Sequence, residues 1–373
     1  MIQMQLDIFK KILEVDSTSG KERGLSEFLK DYFPDLNGEC VCRSFEVGDG
    51  TENLLFRWKC GDIQQDSGRL PRVVLCSHLD TVPPYIEPNV KEIRGGEALP
   101  DGNVSLNFQD TLITGRGSCD AKGQFFAMWT ACEELAKELE DVRTASGYHD
   151  FGLLLLSGEE TGSFGAKAFT RDCPGAEWII VGEPTDNCMV TASKGTQAFQ
   201  VTIRGKACHS GYPELGHSAV DTFVEIMNML GNIDFPEDSQ LGETTWNVGK
   251  LVSDNPQNIL SPLLTFRIYF RTTFASHEKV QQLMTRIGER EDVKVEALGG
   301  DNPMSYDTFE GIDTKTVAFG SDTPRLTKFM HKSLCGPGSI SVAHTHREYV
   351  LLSDLEKACR QYKSMVLNIL NYK

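Results

Sequence analysis

At 373 residues, 40% hydrophobic and 24% charged, the chain has the make-up of a globular protein with room for two domains rather than one. A formal charge of -16 repels phosphate backbones and anionic lipid, which argues against nucleic acid or membrane surfaces as partners, and no apolar run approaches the roughly 18 residues that span a bilayer. The 11 cysteines are scattered without a Cys-x-x-Cys pair and read as reduced thiols; the opening residues 1–7 have neither the basic nor the apolar part of a secretory signal, so cytoplasmic residence is expected.

Leu6, Ile8, Phe9, Ile12 and Leu13 recur at helical spacing and predict an amphipathic helix over 3–14. Ser17-Thr18-Ser19-Gly20 breaks it and offers caps for a second helix over about 21–32. Residues 53–58 alternate as a strand, and Val73-Val74-Leu75-Cys76 is a short continuous apolar run, the mark of a strand buried on both faces. That run ends in Ser77-His78-Leu79-Asp80-Thr81-Val82-Pro83. His78 and Asp80, two apart, share a side, which suits a metal-ligating imidazole steered by a carboxylate; a histidine bonded to a local carboxylate without metal is the plainer alternative. Residues 84–110, rich in Pro, Gly, Asn and Asp, read as a long connection.

Next comes Gly115-Arg116-Gly117-Ser118-Cys119-Asp120-Ala121-Lys122-Gly123, whose three glycines make its backbone unusually permissive. It is either a tight strand-to-helix turn or a device that delivers Asp120. A helix is expected over 125–139 and a doubly buried strand over 151–156, ending in Ser157-Gly158-Glu159-Glu160-Thr161-Gly162. Two adjacent carboxylates there are either an acidic start to a helix over 163–170 or a functional pair. A third buried strand, 178–181, ends in Gly182-Glu183-Pro184-Thr185.

Buried strands thus alternate with helices, and polar residues fall at the strands' C-terminal ends, where open α/β sheets bind ligands. His78, Asp80, Glu159, Glu160 and Glu183 gather on one rim with Asp120 brought in by its loop, and a metal centre accounts for them better than a set of unrelated turns. Beyond Glu183 the texture changes: strand 198–203, helix 218–230, strands 245–251 and 263–272, helix 277–290 and strand 293–297 follow the β-α-β-β-α-β order of ferredoxin-like domains. The expected fold is therefore α/β, a mixed sheet flanked by helices over 1–190 and 299–373, with an inserted ferredoxin-like α+β domain over 191–298. Gly320-Ser321-Asp322-Thr323-Pro324 reads as a turn, Gly336-Pro337-Gly338-Ser339 leads to Ala343-His344-Thr345-His346-Arg347-Glu348, and a final helix is expected over 351–370.

Imidazole and carboxylate ligands without thiolates suit Zn²⁺, with Co²⁺ or Mn²⁺ as substitutes. The set is too large for one open tetrahedral site but serves two ions if Asp120 bridges them, with His78 and Glu183 on one and Glu160 and His344 on the other. Glu159 is then free to act as general base, taking a proton from water and returning it to a leaving amine. An oxyanion needs a further donor, which His209, in Ala207-Cys208-His209-Ser210-Gly211, is able to supply; a lone histidine in a turn with no chemistry is the alternative.

Together these motifs resemble the M20 metallopeptidase family, the group of acetylornithine deacetylase, succinyl-diaminopimelate desuccinylase and aminoacylase. Ser77–Pro83 is similar to its first metal motif, with Ser77 where Gly is more usual; the Asp120 loop, the Glu159-Glu160 pair and Gly182-Glu183-Pro184-Thr185 are similar to the others. The resemblance implies a zinc-exopeptidase-like catalytic domain, a dinuclear zinc site, an orienting role for Asp80, a cis peptide after Asp120, and a homodimer formed through the inserted lid domain. His209 resembles the lid histidine that reaches the partner subunit's site, and Thr196, Asn258, Arg271, Gly320 and Ser321 fall where family members contact substrate, Arg271 being suited to a carboxylate. Gly336–Ser339 with Ala343-His344 is most similar to acetylornithine deacetylase, which implies a small N-acyl amino acid as substrate and N-acetylornithine deacetylation, in arginine biosynthesis, as the reaction. A desuccinylase, an aminoacylase or a small dipeptidase of the same mechanism are alternatives, as is a non-catalytic metal-binding homologue. His346 stands where Pro is common, which makes it the alternative ligand to His344, and Cys119 beside the bridging Asp is uncommon.

Overall fold

The computed structural model describes residues 6–48, 50–61, 69–105 and 109–371. The chain divides into two compact units, the first comprising Met1–Thr191, Tyr306–Lys315 and Ser321–Lys373, the second Ala192–Ser305 and Thr316–Gly320. In chain order the first unit carries α1 (Leu6–Glu14), α2 (Glu22–Leu36), β1 (Cys40–Gly48), β2 (Thr51–Lys59), β3 (Val73–His78), β4 (Asn89–Arg94), β5 (Gln109–Thr114), α3 (Lys122–Glu138), β6 (Tyr148–Leu156), α4 (Phe164–Asp172) and β7 (Trp178–Val181). After β8 (Met189–Ser193) the second holds β9 (Gly195–Arg204), α5 (Ala219–Gly231), β10 (Thr245–Val252), β11 (Leu263–Thr272), α6 (His277–Gly288), β12 (Val293–Asp301) and β13 (Met304–Ser305). β14 (Thr314–Val317) spans a further crossing, and β15 (His331–Leu334), β16 (Tyr349–Leu351) and α7 (Leu352–Leu370) complete the first unit.

The main sheet of the first unit has the order β1-β2-β6-β3-β7-β15. β3 pairs in parallel with both β6 and β7, β15 runs parallel to β7, and β1 and β2 are antiparallel additions at the other end. Every residue of β3 is buried, as are Leu153 to Leu156 of β6, the double burial that unbroken apolar runs predict. α3 is buried nearly all round over its first turns, polar residues such as Gln124 and Thr130 included, and is packed against β3 and β6 and against α7. Its Phe126 stacks on Phe9 with centroids 4.7 Å apart, and its Trp129 stacks on Phe33 at 4.6 Å, which in turn meets Phe56 edge-on at 5.2 Å.

Three features differ from the sequence expectation. α2 runs through Pro34 to Leu36 rather than stopping near Tyr32; proline deletes only one helical bond, and Asn37 N–H closes the end on Phe33 O at 3.2 Å. The stretch expected as a connection contains β4 and, at its end, the start of β5, which pair antiparallel and carry a small core of Ile93, Leu99 and Leu112. Only Ile93 of β4 is buried, so the strand has almost no alternation to read; residues 106–108 lie outside the described ones. Residues 299–305 and 316–320, expected with the first domain, fall in the second unit, because β12 continues to Asp301 along β9.

The second unit is the expected ferredoxin-like sandwich. Its antiparallel sheet has the order β10-β11-β9-β12. Alternate residues of β9 and β11, including Phe199, Val201, Phe266 and Ile268, form one core with Ile226 and Leu230 of α5 and Val280, Met284 and Ile287 of α6. Among the described residues no helix is long and apolar enough to cross a membrane. Phe33 is fully buried between Trp129 and Phe56; Phe33→Ala is expected to lower unfolding free energy by about 3–5 kcal/mol, read from urea denaturation.

Candidate metal centre

Because β6, β3 and β7 are adjacent and parallel, their C-terminal ends share one edge of the sheet. His78 is the last residue of β3, Glu159 and Glu160 lie in the turn after β6, and Glu183 lies just past β7. Asp120 enters from the loop between β5 and α3, and His344 from the loop between β15 and β16. The ligand atoms of His78, Asp120 and Glu183 lie within 4.8 Å of one another, as do those of Asp120, Glu160 and His344; Asp120 belongs to both groups. A third group joins His78 to Glu159 and Glu160. His346 is exposed and is in none of the three.

The two oxygens of Asp120 face opposite ways. Oδ1 lies 3.2 Å from His78 Nε2 and Oδ2 lies 3.3 Å from His344 Nε2, which is also 2.7 Å from Glu160 Oε1. The peptide between Asp120 and Ala121 is cis, as the family resemblance implies. His78 Nδ1 is 2.8 Å from the Asp80 carbonyl oxygen; a carbonyl only accepts, so Nδ1 carries a proton and Nε2 is the ring nitrogen that faces Asp120 and the centre. The carboxylate expected to steer the ring has a further task. Asp80 Oδ1 is 3.5 Å from the ring, while the two carboxylate oxygens accept Glu159 N–H at 3.0 Å and Glu160 N–H at 3.1 Å. Its main chain orients the imidazole and its side chain holds the turn that bears both glutamates.

The electrostatics of the cluster call for positive charge. Burial, with Asp120 and Glu159 close by, pushes the Glu183 carboxyl well above its usual range, and its Oε1 has no hydrogen-bond partner among the described residues. Burial also raises Glu159 well above that range, with neighbouring carboxylates adding to it. Bonds to Asp120 and Glu160 lift His344 to about 10. His78 is raised too, since its bonds to Asp120 and Asp80 outweigh burial, which acts to lower it. Buried carboxylates that outnumber cations, presented as oxygen and imidazole donors in two groups sharing one member, fit divalent metal ions.

The model of peptidase family M20/M25/M40 matches residues 74–368. The chain belongs to this peptidase family. A probable carboxypeptidase of Uncinocarpus reesii is 31% identical over 396 residues, covering 97% of this chain and 86% of that one. Among solved structures, a tripeptidase from Staphylococcus aureus superposes with a TM-score of 0.73 at 20% identity, covering 97% and 96% of the two chains. A dinuclear metal-binding M20 peptidase from Bacillus subtilis does so at 0.67 and 11%, covering 100% and 98%. The chain is thus an M20 hydrolase of the mixed α/β fold, with candidate metal-ligand groups at one edge of its main sheet.

The remaining expected residues of this M20 peptidase are divided between the two units. Ser321, in the first unit, is buried and pairs with Thr323 Oγ1 at 2.8 Å. In the second unit Thr196 on β9 stands opposite Arg271 on β11, whose guanidinium lies 5.1 Å from the centroid of the Tyr269 ring. His209 and Asn258 lie in neighbouring loops there, joined by the bond from Ser210 N–H to Asn258 O at 2.9 Å. Gly320 ends the second unit's last segment.

Two residues without a role in the sequence expectation prove central. Glu348 Oε1 accepts the N–H groups of Gly117, Cys119 and Asp120 at 2.9, 3.1 and 3.0 Å, while Oε2 pairs with the buried Arg116. Lys122, fully buried, donates from Nζ to Val15 O at 2.6 Å and Ile12 O at 3.3 Å, tying the end of α1 to the same loop. Burial lowers its ammonium to about 7. Glu348→Ala leaves Arg116 buried without its carboxylate and three N–H groups unpaired; a loss of about 3–5 kcal/mol of stability is expected by urea denaturation.

Proposed function

We propose that the chain is a two-zinc amide hydrolase whose substrates are small N-acyl amino acids in the broad sense, the acyl part being acetyl, succinyl or an amino acid of a short peptide. The observation that carries this reading is the sharing of Asp120 between two ligand groups while Glu159 stands beside them. His78 and Glu183 would hold one ion, Glu160 and His344 the other, with one Asp120 oxygen toward each. When bound, a pair of Zn²⁺ ions supplies Lewis acidity to the scissile carbonyl and to the attacking water; Co²⁺ or Mn²⁺ would serve in its place.

In this mechanism Glu159 removes a proton from the water as its oxygen joins the carbonyl carbon. It returns that proton to the nitrogen as the C–N bond breaks, giving a carboxylic acid and an amine, which become carboxylate and ammonium when the acid's proton passes to the amine. Asp80 keeps Glu159 in place through the N–H it accepts. His209 donates to the oxyanion, and Arg271 with Thr196, Asn258, Gly320 and Ser321 binds the substrate, the guanidinium taking its free carboxylate. A homodimer formed through the ferredoxin-like unit, with His209 serving the partner subunit's centre, belongs to the same reading, as does cytoplasmic residence.

N-acetylornithine is one substrate of this class, favoured by the Gly336–Ser339 and Ala343-His344 segments. A short peptide cleaved next to its free carboxylate is the other, favoured by the carboxypeptidase name of the fungal relative. Both present an amide beside a free carboxylate. Zinc-loaded protein assayed against N-acetyl and N-succinyl amino acids, dipeptides and tripeptides, each with free and amidated carboxyl ends, separates them; no hydrolysis anywhere in the panel would remove the enzymatic reading.

Two substitutions test the roles. Glu159→Gln is expected to keep the bound zinc and lower kcat by about 10²–10⁴-fold; near-normal turnover would exclude Glu159 as the base. His344→Ala is expected to lower zinc per chain and His346→Ala to leave it unchanged, and the reverse result would reassign the ligand.

A further inference from the structure

Gly336–His344 forms a strap fastened beside both metal-ligand groups. On one side it is tied to the residues just past Glu183. Gly336 N–H donates to Thr185 Oγ1 at 2.9 Å, Asp186 N–H to Gly338 O at 2.7 Å and Asn187 N–H to Gly336 O at 2.8 Å. On the other side it rests on Cys119, the residue before Asp120. Cys119 is fully buried, its Sγ lies 3.4 Å from Ser339 O, and it packs with Val342 and Ala343, the two residues before His344. Gly338 has φ +75°, and a Cβ there would stand 2.6 Å from Cys119 Sγ. The contact has no slack, since the thiol occupies the room that the glycine leaves.

Chemistry at the sulfur is not what the position offers. Burial, with Glu348 and Asp120 nearby, keeps the thiol well above its usual range, so it stays an S–H donor to a carbonyl rather than a thiolate. What the residue contributes is volume. The two walls of the contact also differ in stiffness. The Asp120 loop is held by its three N–H bonds to Glu348, and Gly123 packs so closely that a Cβ there would meet Ser118 O at 2.3 Å. The strap, by contrast, exposes Ile340 and Ser341, and His344 itself is 48% exposed with a left-handed backbone at φ +63°. Any excess volume at position 119 displaces the strap and not the loop.

We propose that Cys119 is a positioning residue whose volume sets where His344 stands over Asp120, and so sets how tightly the Glu160–His344 metal position is held. This rests on the two-metal assignment made above. The partner group of His78 and Glu183 is built on β3 and β7 and takes no ligand from the strap, so its ion should be insensitive to the change.

The test takes zinc-loaded full-length protein, dialyses it against buffers of graded free Zn²⁺ and counts zinc per chain, with melting curves alongside. The wild type is expected to release two ions in separable steps. Cys119→Ser should match it. Cys119→Leu should keep the tighter ion unchanged and release the other at about 10–100-fold higher free Zn²⁺, the range found when groups that orient a ligand are disturbed. Gly338→Ala crowds the same contact from the opposite wall and should behave alike, and adding Cys119→Ala to it should restore the second ion. That pair decides the matter if Cys119→Leu does not fold. Wild-type binding of both ions in Cys119→Leu, equal loss of both, or no rescue in the double variant would overturn the inference while leaving the two-metal assignment standing. A wild-type chain that holds a single ion would overturn both.

Discussion

One carboxylate oxygen, Glu348 Oε1, accepts three N–H groups of a single loop, from Gly117, Cys119 and Asp120, and the candidate metal centre depends on it. A loop with glycines at 115 and 117, both at positive φ, has too much conformational freedom to place a side chain by itself. Converging its N–H groups on a buried anion removes that freedom, and the ion pair with Arg116 neutralises the anion that does so. Lys122 secures the loop's far end to α1. Asp120 can then point one oxygen to each side, which is the geometric basis for a shared ligand.

Charge explains why so much backbone is spent on this corner. Asp80, Asp120, Glu159, Glu160 and Glu183 converge at the sheet edge, with two histidines as the nearby bases. Each carboxylate that is not a ligand candidate needs its own compensation. Asp80 finds it in the amides of Glu159 and Glu160 and in the Ser19 hydroxyl at 3.3 Å. Asp322, buried in the same unit, keeps one oxygen without a partner among the described residues and is raised to about 7, chiefly by burial. Glu183 has an unpartnered oxygen as well. A protein interior tolerates such a set only where positive charge is supplied, and divalent ions supply it in the least space.

Much of this is legible in the residue order, for a physical reason. Doubly buried parallel strands demand unbroken apolar runs, so β3, β6 and β7 announce themselves, and the residues directly after each run are bound to sit on the ligand edge. The ferredoxin-like unit is readable because β9 and β11 alternate cleanly. β4 is not, because a single buried side chain leaves no period. Glu348 is hidden for another reason: its partners lie 228 to 232 residues away, and nothing local distinguishes it from any acid at the end of a loop. The spacing of His78 and Asp80 points to their pairing, but a two-residue interval cannot tell that the carbonyl, at 2.8 Å, lies nearer the ring than the carboxylate, at 3.5 Å.

The distance along the chain between Glu348 and the loop it secures bears on the order of events during synthesis. At translation rates of about 5–20 residues per second, roughly 10–45 s separate the emergence of Asp120 from that of Glu348. Within that interval β6 and β7 follow and can assemble with β3, bringing their carboxylates into place, while the loop between β5 and α3 still has no anchor and His344 has not been made. The growing polypeptide thus lacks part of the candidate ligand set until His344 and Glu348 have left the ribosome, well after the strand-end carboxylates they join.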